Sequence, residues 1–241
     1  MKRCVCIILI LAMFCIPVHA QEKKYVALTF DDGPSGRFTS RLLDGLAERQ
    51  VSATFFLCGY RVEQFPKLAA RIADEGHEIG THGYAHKFFS DLSTEGVCSD
   101  LKAAQQCILE ACGHAPTLLR PPGGKYCTKA LRSSVCAELP VILWSVDPRD
   151  WQRTDSKAIA ADVVKKTKNG DIILMHDMSD SSVDAALDII DELGEQGFEF
   201  LTVSELAART GTELCPCETY HSFPRCSKNE ESSGGSAATE P

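Results

Sequence analysis

The 241-residue chain lacks several patterns that would assign it to common functional classes. It has no cluster of lysine and arginine, and its formal net charge is −8. This charge pattern argues against nucleic acid and anionic membrane as partners. A dinucleotide fingerprint, an internal repeat and a CxxC pair are also missing, and without a CxxC pair a structural zinc cluster is not expected. A neutral or locally recognised substrate fits these absences best.

The longest apolar run is too short to cross a bilayer. It covers Cys4–Ile16, whereas a membrane-spanning helix needs about 20 residues. A basic start precedes it, and Val18-His19-Ala20 places small residues where a signal peptidase reads the chain. We therefore expect residues 1–20 to be a secretory signal peptide, and no stable membrane association after its cleavage. The protein would then be secreted or at the cell surface.

Cysteine is abundant, with twelve in the chain and nine after residue 20. An exported protein can form disulfide bonds, and an odd number leaves at least one thiol free or paired with another chain. Cys58, in the apolar run ATFFLC, is the candidate for a buried free thiol. Cys98 and Cys107 are predicted to share a helix about 13 Å apart, too far for a bond. The pairing and the oligomeric state stay open.

Short apolar strands alternate with amphipathic helices from Tyr25 to Thr210. Seven strands are predicted, at residues 25–30, 53–57, 78–80, 117–119, 141–145, 171–175 and 198–202. Six helices are predicted, at 38–49, 66–75, 94–111, 156–168, 182–196 and 203–209. Repeated strand–helix units predict an α/β fold with a parallel sheet. We expect a distorted, partly open (β/α) barrel at 21–210, followed at 211–241 by a cysteine-containing extension and a disordered tail.

Polar clusters follow five of these strands at their carboxyl ends. They are Asp31-Asp32, His82-Gly-Tyr-Ala-His86, Arg120-Pro-Pro-Gly-Gly124, Asp147-Pro-Arg-Asp150-Trp151 and His176-Asp177. In a parallel barrel the carboxyl ends of the strands open on one face, where active sites form. The five clusters are therefore expected to converge on one cavity.

Two adjacent carboxylates, Asp31 and Asp32, repel each other unless a positive group lies beside them. His82 and His86 are four residues apart, and on a helical turn their imidazoles would face one way, as metal chelation requires. Asp32 would complete a two-histidine, one-carboxylate site for one divalent cation, and Asp31 would be placed to accept a proton from bound water. Ligand chemistry favours zinc, with cobalt or manganese as alternatives.

The other polar residues also have candidate roles, although each taken singly is compatible with an ordinary structural role. Arg120 would hold Asp31 ionised, and Asp150 would raise the pKa of His176, a candidate proton donor. The glycine N–H groups of RPPGG suit a developing oxyanion. Trp151 and Leu174 would wall a small apolar pocket.

Five motifs occur in order between Tyr25 and Ala208: TFDDGP, THGYAH, RPPGG, DPRDW and ILMHD. With them the chain resembles the polysaccharide deacetylase family, also called the NodB-homology domain or carbohydrate esterase family 4. The resemblance implies a distorted (β/α) barrel that removes N- or O-acetyl groups from sugar polymers. It implies that Asp31 is the general base and that Asp32, His82 and His86 hold the metal.

The resemblance also implies roles for the surrounding residues. Arg120 would support the base, while His176 would be the general acid with Asp150 as its support. Trp151 and Leu174 would line the pocket for the acetyl methyl group. Gly123, where many family members carry tyrosine, would offer a backbone N–H to the oxyanion, and the stacking surface for the sugar is then in doubt.

The expected function is metal-dependent removal of N-acetyl groups from a polysaccharide that contains N-acetylglucosamine. The stretches WSVDPRDW and NGDIILMHD are most like those of secreted bacterial deacetylases that act on peptidoglycan. An amine leaves poorly without a proton, so a general acid favours amide over ester cleavage. A chitin-oligomer deacetylase and an O-acetyl xylan esterase would use the same site. A non-catalytic glycan-binding module and a two-histidine-one-carboxylate iron oxygenase are further alternatives.

Overall fold

The computed structural model describes residues 23–126 and 138–224. The expected signal peptide, the tail after residue 224, and Cys127, Cys136 and Cys226 lie outside these ranges. Within the described ranges, no helix combines the length and the apolar character that crossing a membrane would need.

The strands form one curled, open, parallel sheet. They are β1 (Lys24–Asp31), β2 (Thr54–Leu57), β3 (Glu78–Thr81), β4 (Leu118–Leu119), β5 (Val141–Ile142), β6 (Ile172–His176), β7 (Phe198–Phe200) and β8 (Thr219–Tyr220). Their order is β6-β1-β2-β3-β4-β5-β8, and β7 pairs with the amino-terminal end of β1. Each of these strand pairs is parallel. The predicted distorted, partly open (β/α) barrel is therefore confirmed.

Helices surround the sheet. They are α1 (Gly36–Arg49), α2 (Gly59–Gln64), α3 (Pro66–Asp74), α4 (Thr94–Cys112), α5 (Ser156–Lys166), α6 (Asp180–Glu195) and α7 (Val203–Thr210). Within residues 23–126 and 138–224, three short 3₁₀ turns are added at Phe89–Asp91, Pro122–Gly124 and Asp150–Gln152. The sequence interpretation missed α2, β8 and these turns, because each is too short to show a full hydrophobic period.

Strand β1, which lies between β6 and β2, is buried on both faces, and this explains its continuous apolar sequence. Val26, Leu28 and Phe30 belong to the apolar cluster that includes residues of α1, α5 and α6. The alternating residues Tyr25 and Ala27 belong to a second cluster, with residues of β2, β5 and α7. Full burial of a large apolar side chain stabilises the fold by about 1.5–3 kcal/mol.

The strand register brings the polar strand ends to one level. Asp31 pairs with His176 across β1 and β6. Thr81 pairs with Leu119 across β3 and β4, so the next residue of each strand leaves the sheet at the same edge. The clusters that follow these strands therefore lie side by side at the carboxyl edge of the sheet.

The described cysteines agree with two expectations. Cys58 is fully buried with a free thiol, and burial raises its pKa well above the usual value. Cys98 and Cys107 both lie on α4. Cys98 is disulfide-bonded while Cys107 carries a free thiol, so these two are not bonded to each other.

Candidate active site

The structure brings Asp32, His82 and His86 together into a cluster that can hold a metal ion. One donor atom from each lies within 4.8 Å of the other two. His86 Nε2 is 3.0 Å and His82 Nε2 is 3.4 Å from Asp32 Oδ1. That oxygen is buried yet accepts no well-aligned hydrogen bond among the described residues. Because buried oxygens almost always have a partner, this donor set fits a divalent cation.

Charge and hydrogen bonding prepare the cluster for a cation. The Nδ1–H of buried His82 donates to the carbonyl of Arg120 at 2.7 Å, which leaves Nε2 to face Asp32. Burial lowers the pKa of His82 and so favours the neutral, metal-binding form. Burial alone would raise the pKa of Asp32, but His86 and His82 outweigh it and lower this pKa to about 2.

The predicted helical turn from His82 to His86 is wrong. Strand β3 ends at Thr81, and a loop carries both histidines to ring centroids 5.2 Å apart. The N–H groups of Gly59 and Tyr60, at the start of α2, donate to the carbonyls of Gly83 and Tyr84 at 2.9 and 3.1 Å. These carbonyls accept hydrogen bonds from α2 instead of from a helical turn of their own loop. The two imidazoles are therefore brought together by contacts between separate segments of the chain.

Asp100 on α4 holds the same loop from the other side, and the sequence interpretation missed it. Its carboxylate accepts the N–H of Tyr84 at 2.7 Å and of Ala85 at 3.2 Å. Asp100 lies beside the buried stripe of Val97 and Leu101. The sequence signal that could have identified Asp100 was its position directly beside the buried apolar residues of α4, where an acidic side chain lies close to the rest of the protein.

Two members of the metal cluster have left-handed backbones. The φ angle is 71° at Asp32 and 54° at His86. This conformation costs a non-glycine residue about 1 kcal/mol or more, and such costs concentrate at functional sites. The fold therefore holds Asp32 and His86 in backbone conformations that such residues rarely adopt.

Asp31 pairs with Arg120 behind the cluster. Arg120 is completely buried, and one of its guanidinium nitrogens donates to Asp31 Oδ1 at 2.8 Å and to Thr29 at 2.7 Å. Its remaining N–H groups donate to the carbonyls of Ile142 and Leu143. A buried charge is tolerated only with such partners. Arg120 thus holds the Asp31 carboxylate in one orientation.

His176 pairs with Asp150, which is also completely buried. The Nδ1–H of His176 donates to Asp150 Oδ1 at 2.8 Å, and the backbone N–H of His176 donates to Oδ2 at 3.0 Å. Burial would lower the pKa of His176, but Asp150 and the charges of Asp31 and Asp32 raise it to about 9. At neutral pH His176 is therefore protonated and oriented, as a proton donor must be.

Asp177 contacts the turn that follows Asp31 and Asp32, and its role was not predicted. Its carboxylate accepts the hydroxyl of Thr39 and its carbonyl accepts that of Ser35. A Cβ at Gly33 would lie 2.7 Å from its carboxylate oxygen, so only glycine fits there. Asp177 therefore fixes the turn that presents Asp31 and Asp32. Burial raises its pKa to about 7.

Asp31, Asp32, His82, His86 and His176 open on one cavity of about 360 Å³, as predicted from the strand ends. Leu174, 4% exposed, Trp151 and Gly123 line it as well. The N–H of Gly124 donates to the carbonyl of Pro121 at 2.8 Å, so only Gly123 of the two glycines stays a candidate for an oxyanion. Arg120 and Asp150 lie behind the residues they orient.

Fold and site together define a class: a partly open (β/α) barrel whose strand ends carry a cluster that could hold a metal ion, a carboxylate held by an arginine, and a histidine paired with a buried aspartate. The family model described as polysaccharide deacetylase matches residues 19–141. The chain belongs to the polysaccharide deacetylase family, as the five motifs predicted.

Two relatives illustrate the likeness. The chain is 39% identical over 185 residues to the peptidoglycan-N-acetylmuramic acid deacetylase PdaC of Bacillus subtilis, with 77% of this chain covered. It spans only 39% of the length of that relative. It is also 39% identical over 190 residues to a peptidoglycan-N-acetylglucosamine deacetylase of Bacillus cereus, covering 77% of this chain and 89% of the relative.

A solved structure supports the fold. A family 4 acetyl xylan esterase from Clostridium thermocellum, in complex with a cobalt ion, superimposes with a TM-score of 0.78. It is 31% identical, and the match covers 83% of this chain and 100% of the esterase chain. Relatives with this fold therefore include both deacetylases and an esterase.

Proposed function

We propose that the protein is a metal-dependent hydrolase that removes N-acetyl groups from a polysaccharide containing N-acetylglucosamine, with peptidoglycan as the substrate. One observation carries the proposal. A cluster able to bind a cation, Asp32 with His82 and His86, lies in one cavity with Asp31 and with His176. These are the parts that acyl transfer to water requires.

Asp32, His82 and His86 would hold the cation. When bound, the cation would lower the pKa of a coordinated water and polarise the acetyl carbonyl. Zinc fits a two-imidazole, one-carboxylate set, and cobalt or manganese would also be accepted. The cobalt ion in the related xylan esterase is consistent with this donor set.

Asp31 would accept the proton of the attacking water. The hydrogen bond from Arg120 at 2.8 Å holds the carboxylate in one orientation at the cavity wall. His176 would donate a proton to the departing nitrogen, with Asp150 holding the imidazolium. Gly123, at the cavity wall, would offer its N–H to the oxyanion.

The high pKa of His176 favours amides as substrates. An amine is a poor leaving group until it is protonated, whereas an alkoxide leaves more readily. A histidine with a pKa of about 9 still carries its proton at neutral pH. The site is therefore better suited to an N-acetyl sugar than to an O-acetyl ester, although the esterase relative keeps the second activity open to test.

Both relatives described above are peptidoglycan deacetylases, which favours peptidoglycan as the polymer. A peptidoglycan substrate would place the activity outside the cytoplasm. The pattern of residues 1–20 supports this location, since a signal peptide would direct the chain to where peptidoglycan lies.

The test measures acetate release from peptidoglycan, chitin oligomers and acetylxylan, with and without a chelator. We expect release from the N-acetylated glycans, loss with the chelator, and recovery on adding zinc or cobalt. Metal-free protein that stays fully active would contradict the proposal. Faster release from acetylxylan than from both other polymers would favour the esterase.

Matched variants separate metal binding from proton transfer. Asp32→Ala should lose both bound metal and activity, by about 10³-fold or more. His176→Ala should lose activity but retain metal, because its imidazole is not part of the metal cluster. Metal content measured on both purified variants gives the comparison.

A further inference from the structure

Exposed apolar side chains concentrate at the active-site cavity. Among the residues the structure describes, three large apolar side chains are exposed: Phe88 by 36%, Leu109 by 43% and Trp151 by 62%. Phe88 and Trp151 line the cavity that also holds the metal cluster, whereas Leu109 does not. Apolar surface gathered around a polar cavity marks a ligand-contact area. Phe88 takes no part in the proton transfers, so its exposure calls for another role.

The neighbouring residue fixes the position of Phe88. Phe89 is fully buried and packs in one cluster with Val97, Leu101 and Leu119. It begins the 3₁₀ turn that follows Phe88. The second phenylalanine of the pair thus anchors the loop in the core, and the first remains at the cavity.

The glycines of RPPGG leave room for two aromatic rings from other segments. A Cβ at Gly123 would lie 2.8 Å from a ring carbon of Phe88, and a Cβ at Gly124 would lie 3.1 Å from a ring carbon of Trp144. Both rings line the cavity. Lys125 Nζ lies 4.4 Å from the centroid of the Phe88 ring, a cation–π contact that helps to hold it. Phe88 therefore occupies the space that a side chain at position 123 would use.

We propose that Phe88 is a specificity-determining residue whose ring stacks on a sugar of the polymer beside the acetylated sugar; this proposal rests on the proposed function. A pyranose ring with equatorial substituents presents C–H bonds on its faces. These bonds carry a slight positive charge and match the negative face of an aromatic ring. Such stacking strengthens binding of the polymer and leaves the chemistry at the acetyl group unchanged. Its loss should therefore affect KM more than kcat.

The experiment compares the wild type with Phe88→Ala, Phe88→Tyr and, as a matched control, Leu109→Ala. Substrates are the chitin tetramer and 4-nitrophenyl acetate, which has no sugar. Phe88→Ala should raise KM for the tetramer about five- to tenfold with kcat within about twofold. Phe88→Tyr, which keeps the ring, and Leu109→Ala should both stay within about twofold of the wild type. Leu109→Ala should also leave kcat/KM for 4-nitrophenyl acetate unchanged, since Leu109 does not line the cavity.

A binding measurement separates this proposal from the proposed function. Calorimetric titration of the chitin tetramer into Asp31→Asn, with and without Phe88→Ala, needs no turnover. We expect Phe88→Ala to weaken binding by the same factor as it raises KM. If the wild type releases no acetate while this weakening is observed, the proposed function fails and the stacking role stands. Equal binding with and without the ring, or no binding by either protein, overturns the role of Phe88.

Discussion

Two arginine–aspartate pairs lie near opposite ends of the sheet and differ mainly in burial. Arg120 contacts Asp31 at 2.8 Å, with side chains 0% and 4% exposed. Arg49 contacts Asp191 through two hydrogen bonds of 2.7 Å, with side chains 25% and 54% exposed. The exposed pair has the better geometry, yet water screens it. Burial, and not the number of bonds, therefore separates a functional ion pair from a surface one.

The cavities beside these two pairs differ in size and in the residues that line them. The cavity next to Arg49 has a volume of about 490 Å³ and is lined by residues such as Val51 and Phe198. The cavity in front of Asp31 is smaller, about 360 Å³, but it collects the strand-end carboxylates and imidazoles. In a parallel sheet the carboxyl ends of the strands carry the site, so size alone does not identify it.

The largest expected effect comes from breaking the buried pair. Arg120→Met should lower the free energy of unfolding by about 3–5 kcal/mol, because the Asp31 charge is left buried without its partner. Urea denaturation of the purified variant measures this loss. Should the variant fail to fold, Asp31→Asn offers a milder change that should abolish activity and keep bound metal. A loss below 1 kcal/mol for Arg120→Met would remove the contrast between the two pairs.

The second prediction concerns the other buried pair at the same edge. Asp150→Asn removes the charge that holds the pKa of His176 at about 9, so this pKa should fall toward 6.5. His176 then loses its proton at a lower pH. The pH at which kcat/KM declines on the basic side should fall by as much as the pKa of His176 does. At pH 8 the protonated fraction of His176, and with it the rate, should drop about 30-fold.

A pH profile from 5 to 10, together with an NMR titration of His176, tests the second prediction. Asp162→Asn is the control, because this exposed carboxylate pairs with Arg153 and does not line the active-site cavity. An unchanged basic limb in Asp150→Asn would mean that another group donates the proton.

The third prediction uses the pH dependence of stability. The pKa of Asp177 is raised from 3.8 to about 7 in the folded protein. Between these values the folded state holds a proton that the unfolded state has released, so stability falls as pH rises. Asp177→Asn should remove this fall. The free energy of unfolding of the variant, relative to that of the wild type, should therefore rise by about 1.4 kcal/mol per pH unit in that range. Urea midpoints at several pH values from 4 to 8 would reveal it, and parallel curves would refute it.

The smallest effect is expected at the exposed pair. Arg49→Gln should change the free energy of unfolding by less than about 1 kcal/mol, and this small cost should shrink further in 0.5 M salt. Acetate release should be unchanged, since Arg49 lies outside the active-site cavity. A loss comparable with that of Arg120→Met would show that burial is not the deciding variable.

The strand ends were predictable because two local patterns coincide there. An apolar run such as Val26–Phe30 announces a buried strand, and the polar residues directly after it must lie at the carboxyl edge. The parallel sheet then brings distant clusters together without further information. The meeting of Asp31 with Arg120 and of His176 with Asp150 followed from this rule.

Other features depend on contacts between segments that are remote in the chain. The loop from His82 to His86 is shaped by α2 and by Asp100, so its four-residue spacing suggested a helix that does not form. Phe88 could not be assigned to the cavity, because its neighbour Phe89 is the residue that enters the core. Nor does the sequence indicate that the ring of Phe88 occupies the space beside Gly123, because the two residues are 35 positions apart in the chain.

By itself the sequence determined the parallel α/β fold, the family and the set of residues at the strand ends, because hydrophobic periodicity and motif order are written along the chain. Tertiary structure alone decided which carboxylates are buried, which way each imidazole points and which aromatic rings border the cavity. Those properties arise from the packing of segments far apart in sequence, and burial in turn sets the pKa values on which the proposed chemistry depends.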